Sequence, residues 1–381
     1  MIATGQFVEA LRKRGIDFFA GVPDSLLASF CAYVADHVPS ERHVIAANEG
    51  GAVALAAGHY LATGRPGLVY LQNSGLGNTV NPLISLADSE VYSIPMVLLV
   101  GWRAEPGVRD EPQHVKQGRI TLPLCETLEM PARILPAETE EAIDCLDAVL
   151  SIAIREKRPV ALVVRAGLFE KYKSDTGAVL PYTLQREKAV EAVADALPDK
   201  AILVATTGHI SRELYEYRVR RGQGHARDFL TVGSMGHASQ IALGIALAET
   251  GRPVICLDGD GAVLMHMGGL ALIGSSGLPH LHHIVLNNAA HDSVGGQPTV
   301  GFDADLVGVA RACGYRRADR VEDAKALTGA LSELFAAKGP TFLEVRVAKG
   351  ARPDLGRPKT TPEQNKEAFM RYLQSGRNPQ T

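Results

Sequence analysis

Two places in the sequence combine oxygen-bearing side chains with glycines in a way that can do chemistry. In GDGAVLMHMGGLALIGSSGLPHLHHIVLNN, Gly259 to Asn288, one apolar run ends on an acid between glycines and the next ends on paired asparagines. Glycine lets backbone amides approach a ligand closely, and a row of amides suits an anion such as phosphate. Asp260 repels a phosphate unless a cation lies between them. Mg2+ resolves the conflict, because it takes a carboxylate, an amide oxygen, a backbone carbonyl and phosphate oxygens together. Asn288 is placed to supply the amide oxygen, while Gly259 and Gly261 flank the acid. Taken singly, the same residues read as a turn and a polar strand end.

Residues at such rims need a sheet to hold them. Short apolar runs alternate with helix-like segments along the chain: IDFFAGVP, ERHVIAAN, PGLVYLQNS, PMVLLVGW and PVALVVRAG in the first half, KAILVATTG, PVICLDGDG, LHHIVLNN and PTFLEVRV in the second. Apolar strands separated by helices are the pattern of parallel sheets covered on both faces. The periodicity stops in GLFEKYKSDTGAVLPYT, where charge, Gly and Pro accumulate, and then restarts. The expected fold class is α/β, with two tandem doubly wound parallel-sheet domains and no central third domain between them. Ligands bind such sheets at the carboxyl ends of their strands. No internal sequence repeat is evident.

The chain of 381 residues has room for two cores. A net charge of −3 with 21% charged residues gives no basic field to recruit nucleic acid. Five scattered cysteines form no CxxC pair, which argues against a disulfide framework or structural zinc. No membrane span or secretory leader is read, so the expected location is cytoplasmic and the expected partner a small molecule.

Together the acid, the paired asparagines and their spacing resemble the diphosphate-binding fingerprint of the thiamine-diphosphate enzymes. The resemblance implies thiamine diphosphate and Mg2+ as cofactors, with Asp260, Asn288 and the backbone carbonyl of Ala290 as metal ligands. NEGGAVALAAGHYLATGRPGLVYLQNSGLGNTVNPL is similar to the family's pyrimidine-binding segment. There Glu49 would hydrogen-bond N1′ of the aminopyrimidine and promote loss of the thiazolium C2 proton. Read alone, Glu49 is a carboxylate at a helix start. Asn73 and Gly75, in NSGLGN, fall in the same cofactor-binding segment. Met235, in TVGSMGHASQ, stands where the family wedges a bulky residue between the cofactor rings, although methionine also serves as core filler. TTGH offers Thr207 and Gly208 to the diphosphate ahead of His209. The implied domains are 1–170 for the pyrimidine, 171–184 as a linker, and 185–381 for the diphosphate with a C-terminal tail. The family pairs one subunit's pyrimidine domain with another's diphosphate domain, which implies a homodimer or a dimer of dimers.

The absence of a central domain points to the family's compact 2-keto acid decarboxylases, whose substrates carry a second anion. Cations and helix-start amides would recognise it. In GVPDSLL, Ser25 matches a polar residue the family uses near the substrate carboxylate, with Asp24 beside it; either also reads as an N-cap. A long strand-end loop, 101–135, carries Arg103, Arg109, His114, Lys116 and Arg119. Arg103, Arg109 and Lys116 are substrate candidates, and His114 is the candidate proton carrier because imidazole titrates near neutrality. His291 lies close to the metal segment, and Arg357 sits in a basic tail suited to closing over the site. The rival readings are an electron-transferring oxidoreductase subunit and a non-catalytic α/β binding protein.

Overall fold

The computed structural model describes residues 1–174, 181–249 and 251–375. It divides into two compact units, Met1–Ala178 and Val179–Thr381. The linker read over 171–184 lies partly outside the described residues.

The first unit is a six-stranded sheet of β1 (Phe19–Gly21), β2 (His43–Ile45), β3 (Gly67–Gln72), β4 (Met96–Gly101), β5 (Ala132–Ile134) and β6 (Pro159–Val164). Every pairing is parallel and the order is β2-β1-β3-β4-β6-β5. The second contains β7 (Ile202–Ala205), β8 (Asp228–Leu230), β9 (Val254–Gly259), β10 (Leu281–Asn287), β11 (Arg317–Val321) and β12 (Thr341–Arg346). Again all pairings are parallel, in the order β11-β12-β10-β9-β7-β8. Counted within each unit, the two orders are the same: second, first, third, fourth, sixth, fifth. A repeat that the sequence does not disclose is present in the topology.

Strand alternation divides each sheet between two cores. Leu68 and Tyr70 of β3 face a cluster with Phe7, Phe30 and Leu146, whereas Val69 and Leu71 face one with Val53, Ala56 and Leu83. In the second unit Ile255 and Leu257 of β9 pack with Val190, Leu214 and Leu331, and Val254 and Cys256 with Ala242, Ile273 and Phe369. Fully burying each such aliphatic or phenyl side chain contributes about 1.5–3 kcal/mol. Strand interiors are thereby committed to packing, and polar chemistry is concentrated at the rims. The doubly wound α/β class expected from the periodicity is what the structure contains.

Local differences have physical causes. The charged stretch 101–135 is not one loop: it holds the helix Pro112–Thr127 and strand β5. Pro112 starts the helix where no N–H is needed, and its buried side is made of His114, Gly118, Thr121 and Cys125. That face is too small and polar to register as an apolar stripe. After β3 the chain forms the helix Leu76–Pro82, followed by a wide turn Leu83–Ala87. The glycine-flanked acid is not a free turn, since Gly259 closes β9 and Asp260 opens a short helix, Asp260–Met265. β2 stops at Ile45, and Glu49 opens the helix Glu49–Thr63. Among the described residues no helix is long and apolar enough to cross a membrane.

Candidate active site

Each unit gathers its candidate residues at the carboxyl edge of its own sheet. In the first unit, Asn48 caps the helix Glu49–Thr63 by accepting the Gly51 N–H at 2.8 Å, which leaves Glu49 as its first residue. Glu49 is 6% exposed, and its Oε2 accepts from Asn78 Nδ2 at 2.7 Å. Burial pushes its carboxyl upward, and the Asn78 hydrogen bond opposes that shift. Gly75 lies against it: a Cβ there would sit 2.3 Å from Glu49 Oε1, so only glycine leaves the carboxyl its place.

Asp24 is fully buried beneath the same edge. It accepts from Gln72 Nε2 at 2.6 Å and from the Leu26 N–H at 3.2 Å, and burial raises its carboxyl while Gln72 and the Arg103 charge pull it down. Arg103 is held by Asp110 in a two-point ion pair, with Nε to Oδ2 at 2.7 Å, and its Nη1 reaches Ser25 Oγ at 3.2 Å. Burial acts to raise Asp110, but the Arg103 guanidinium, the Glu111 N–H and the His114 charge outweigh it and hold the carboxyl well below its usual range. Ser25, Arg103, Asp110 and His114 therefore form one cluster, with His114 on the buried side of its helix. Arg109 and Lys116 are exposed. Asn73 has its side chain committed, donating to Arg103 O and Thr121 Oγ1 at 3.0 Å each and accepting the Arg103 N–H. Any contact it makes with a ligand would come from its backbone.

The second unit presents a different set. Gly208, at φ +98°, reaches a conformation that favours glycine and starts the helix His209–Arg220. Thr207 Oγ1 accepts the Gly233 N–H at 3.0 Å, tying the β7 end to the loop that carries Met235. Asp260 is 2% exposed; its Oδ1 accepts the Asn288 N–H at 3.4 Å and its Oδ2 a hydrogen bond from Thr299. Burial lifts this carboxyl to about 6. Asn287 is structural, donating to Gly301 O at 2.6 Å and Glu344 Oε1 at 2.9 Å. Asn288 donates to Asp292 Oδ2 at 2.7 Å and accepts the Ala290 N–H at 3.1 Å. Ala290 is itself buried, bridged in antiparallel fashion to Pro298.

Met235 and His291 converge on Gly261, where a Cβ would lie 3.3 Å from Met235 Cε and 3.1 Å from His291 Cε1. Burial lowers the His291 imidazole to about 4, so it is neutral near pH 7. The His209 imidazole is also lowered to about 4, by burial and then by the charges of Arg186 and Arg212; Arg357 contributes, which places it electrostatically at this rim. The tail is docked on the helix His209–Arg220: Arg212 donates to Gly356 O at 2.6 Å, and the Gly356 N–H to Glu216 Oε1 at 2.6 Å. Sequence reasoning did not find Asn78, Gln72, Asp110, Asp292 or Thr299. Only Asn78 carried a signal, as the last residue of NSGLGN.

Residues 1–122 match the model of the thiamine pyrophosphate enzyme N-terminal TPP binding domain, and residues 206–345 that of the C-terminal TPP binding domain. The chain belongs to the thiamine pyrophosphate enzyme family. It is 37% identical to a phosphonopyruvate decarboxylase of Streptomyces viridochromogenes, across 98% of this chain and 95% of the relative. A phosphonopyruvate decarboxylase of Streptomyces hygroscopicus is 35% identical across 98% and 94%. A sulfopyruvate decarboxylase of Methanosarcina acetivorans is 28% identical across 96% of each chain.

Thiamine diphosphate and Mg2+ are the cofactors of this thiamine pyrophosphate enzyme, and the residues present fit them. Asp260 is a buried carboxylate, and among the described residues no Lys or Arg forms an ion pair with it. A buried charge without a counter-ion is costly, and a cation relieves that cost. The available donors are a carboxylate, an amide oxygen and a carbonyl, all hard oxygens of the kind Mg2+ selects. Space is kept by Gly301, where a Cβ would lie 2.7 Å from Asp260 Oδ2.

Proposed function

We propose that the protein decarboxylates 3-phosphonopyruvate to phosphonoacetaldehyde and CO2. The observation that carries this reading is the 37% identity to a phosphonopyruvate decarboxylase across nearly the whole of both chains. Thiamine diphosphate, when bound, supplies the carbon nucleophile and the electron sink that a 2-keto acid needs to lose CO2. The chain's own residues do the rest. Glu49, buried and held by Asn78, would exchange a proton with the aminopyrimidine nitrogen. Asp260, Asn288 and the Ala290 carbonyl would hold Mg2+, while Thr207, Gly208, Gly259 and Gly261 would bring backbone toward the diphosphate. Met235 supports the rings.

Replacing CO2 by hydrogen takes up one proton, which His114 would donate in this reading, with His291 a neutral imidazole beside Gly261. Ser25, Asp24 and Arg103 receive the substrate's keto acid end. Arg109, Lys116 and Arg357 are the cations for the second anion. The preference for a phosphonate over a sulfonate is tested by supplying purified enzyme, Mg2+ and thiamine diphosphate with 3-phosphonopyruvate and with sulfopyruvate. Faster turnover of sulfopyruvate overturns the assignment.

The same reading makes the enzyme a cytoplasmic homo-oligomer with a role in phosphonate biosynthesis. It is supported by five unpaired cysteines and by large apolar side chains left exposed on helices of both units: Leu55 at 39%, Leu61 at 70%, Leu247 at 63% and Leu272 at 58%. Light scattering on the eluting protein would show a dimer or tetramer, and a monomer contradicts it.

A further inference from the structure

A side-chain amide has two ends of nearly equal shape, and its surroundings decide which end faces a ligand. A cation can use only the oxygen of Asn288. Its nitrogen donates to Asp292 Oδ2 at 2.7 Å, and a carboxylate accepts hydrogen bonds without donating them. Asp292 can therefore take only the NH2 end. The Ala290 N–H, 3.1 Å from Asn288 Oδ1, agrees with that orientation but is a neutral contact, weaker than one to a charged acceptor.

Asp292 is itself held in place. The same oxygen accepts from Arg186 Nη1 at 2.7 Å and from the Gly350 N–H at 2.8 Å. Arg186 is 5% exposed and is fixed on its other side by Glu213, with Nη2 to Oε1 at 2.9 Å and Glu213 1% exposed. A buried ion pair thus anchors the carboxylate, and the start of the C-terminal tail closes over it. Three donors from three distant segments, at 186, 288 and 350, meet on one oxygen.

We propose that Asp292 is a positioning residue that fixes the Asn288 amide with its oxygen toward Mg2+, and that Arg186 and the Gly350 amide hold Asp292 for this task. The inference rests on the reading of Asn288 as a metal ligand. Outer partners of this kind change metal affinity by about 10–100-fold when removed. Asp292 does not touch substrate in this account; it acts through Asn288.

The test is Mn2+ binding followed by electron paramagnetic resonance, with the full chain and thiamine diphosphate present, for Asp292→Ala, Asp292→Asn, Asn288→Ala and the Asn288→Ala/Asp292→Ala pair. Asp292→Ala is expected to bind Mn2+ about 10–100-fold more weakly than the wild type. Asp292→Asn, which keeps an acceptor of the same shape, should fall between the two, and saturating Mn2+ should restore turnover in both. The paired variant should bind no more weakly than Asn288→Ala alone, because removing Asp292 matters only through the amide. Should Asp292→Ala fail to fold, Asp292→Asn decides. Wild-type affinity in the aspartate variants, or losses that add in the pair, overturns the proposal. Wild-type affinity in Asn288→Ala overturns the ligand assignment beneath it, whereas weak binding there with normal binding in Asp292→Ala defeats the positioning role alone.

Discussion

The two units share one strand order and differ in what they place at corresponding strand ends. After its third strand the first unit presents Asn73 and Gly75, and the second presents Asp260. After the second strand, the first presents Glu49 and the second Met235. The first unit's carboxylates are answered by protein groups: Glu49 by Asn78, Asp24 by Gln72 and by the charge of Arg103. Asp260 is buried as deeply and is approached by Thr299 and by the backbone N–H groups of Asn288 and Gly261, with no Lys or Arg paired to it among the described residues. In the proposed reading the same scaffold carries proton chemistry in one copy and a cation seat in the other. Topology supplies the frame and strand-end residues supply the function.

Glu49→Gln should break the comparison most severely. General acid–base groups contribute about 10²–10⁴-fold, so kcat should fall by that order in steady-state assays while thiamine diphosphate still binds. Asp260→Asn should do the reverse and abolish Mg2+-dependent cofactor retention in calorimetry. It also has a stability consequence. The folded carboxyl titrates at about 6 against an ordinary 3.8, so the unfolded chain holds fewer protons between those values. The metal-free protein therefore loses stability as pH rises through that window, by about 3 kcal/mol at neutrality. Asp260→Asn should accordingly raise the metal-free Tm at pH 7 and remove the stabilisation by Mg2+.

A smaller effect is expected from Gly75→Ala. The added methyl meets Glu49 Oε1 at 2.3 Å, and relieving such overpacking costs about 1–3 kcal/mol, read as lower kcat with the Mg2+ affinity unchanged. Smallest is a pH effect on the wild type. Mg2+ requires the ionised Asp260, so its affinity should fall about tenfold per pH unit below 6, and a flat profile between pH 5 and 6 would contradict the site.

Much of this frame was legible because buried central strands leave a plain mark. β3, β4, β6, β9, β10 and β12 are apolar runs bounded by Gly, Pro or Asn, and each was read from the sequence. Edge strands β5 and β11 were not, since ARI is half-buried at most around an exposed Arg133 and RADRV interleaves charge with the buried Ala318 and Val321, so both resemble loop. The helix Pro112–Thr127 hid for a related reason: a glycine, a threonine, a histidine and a cysteine make its buried side. At the candidate site, residues at strand ends next to glycines stand out in the sequence because glycine permits a close approach of backbone to a ligand. Their supports do not. Asp292 is joined to residues 186 and 350, and Thr299 to Asp260, by contacts between ordinary polar residues far apart in the chain, and no local pattern records such a pairing.

In the proposed mechanism proton transfer belongs to the first unit and cofactor retention to the second. Exchange of the thiamine diphosphate C2 proton with deuterium, measured by proton NMR on quenched Glu49→Gln enzyme with Mg2+ and cofactor bound, tests it most directly. The account predicts exchange slowed by about 10²–10⁴-fold at cofactor affinity close to the wild type. Wild-type exchange in that variant, or cofactor loss as complete as in Asp260→Asn, would contradict it.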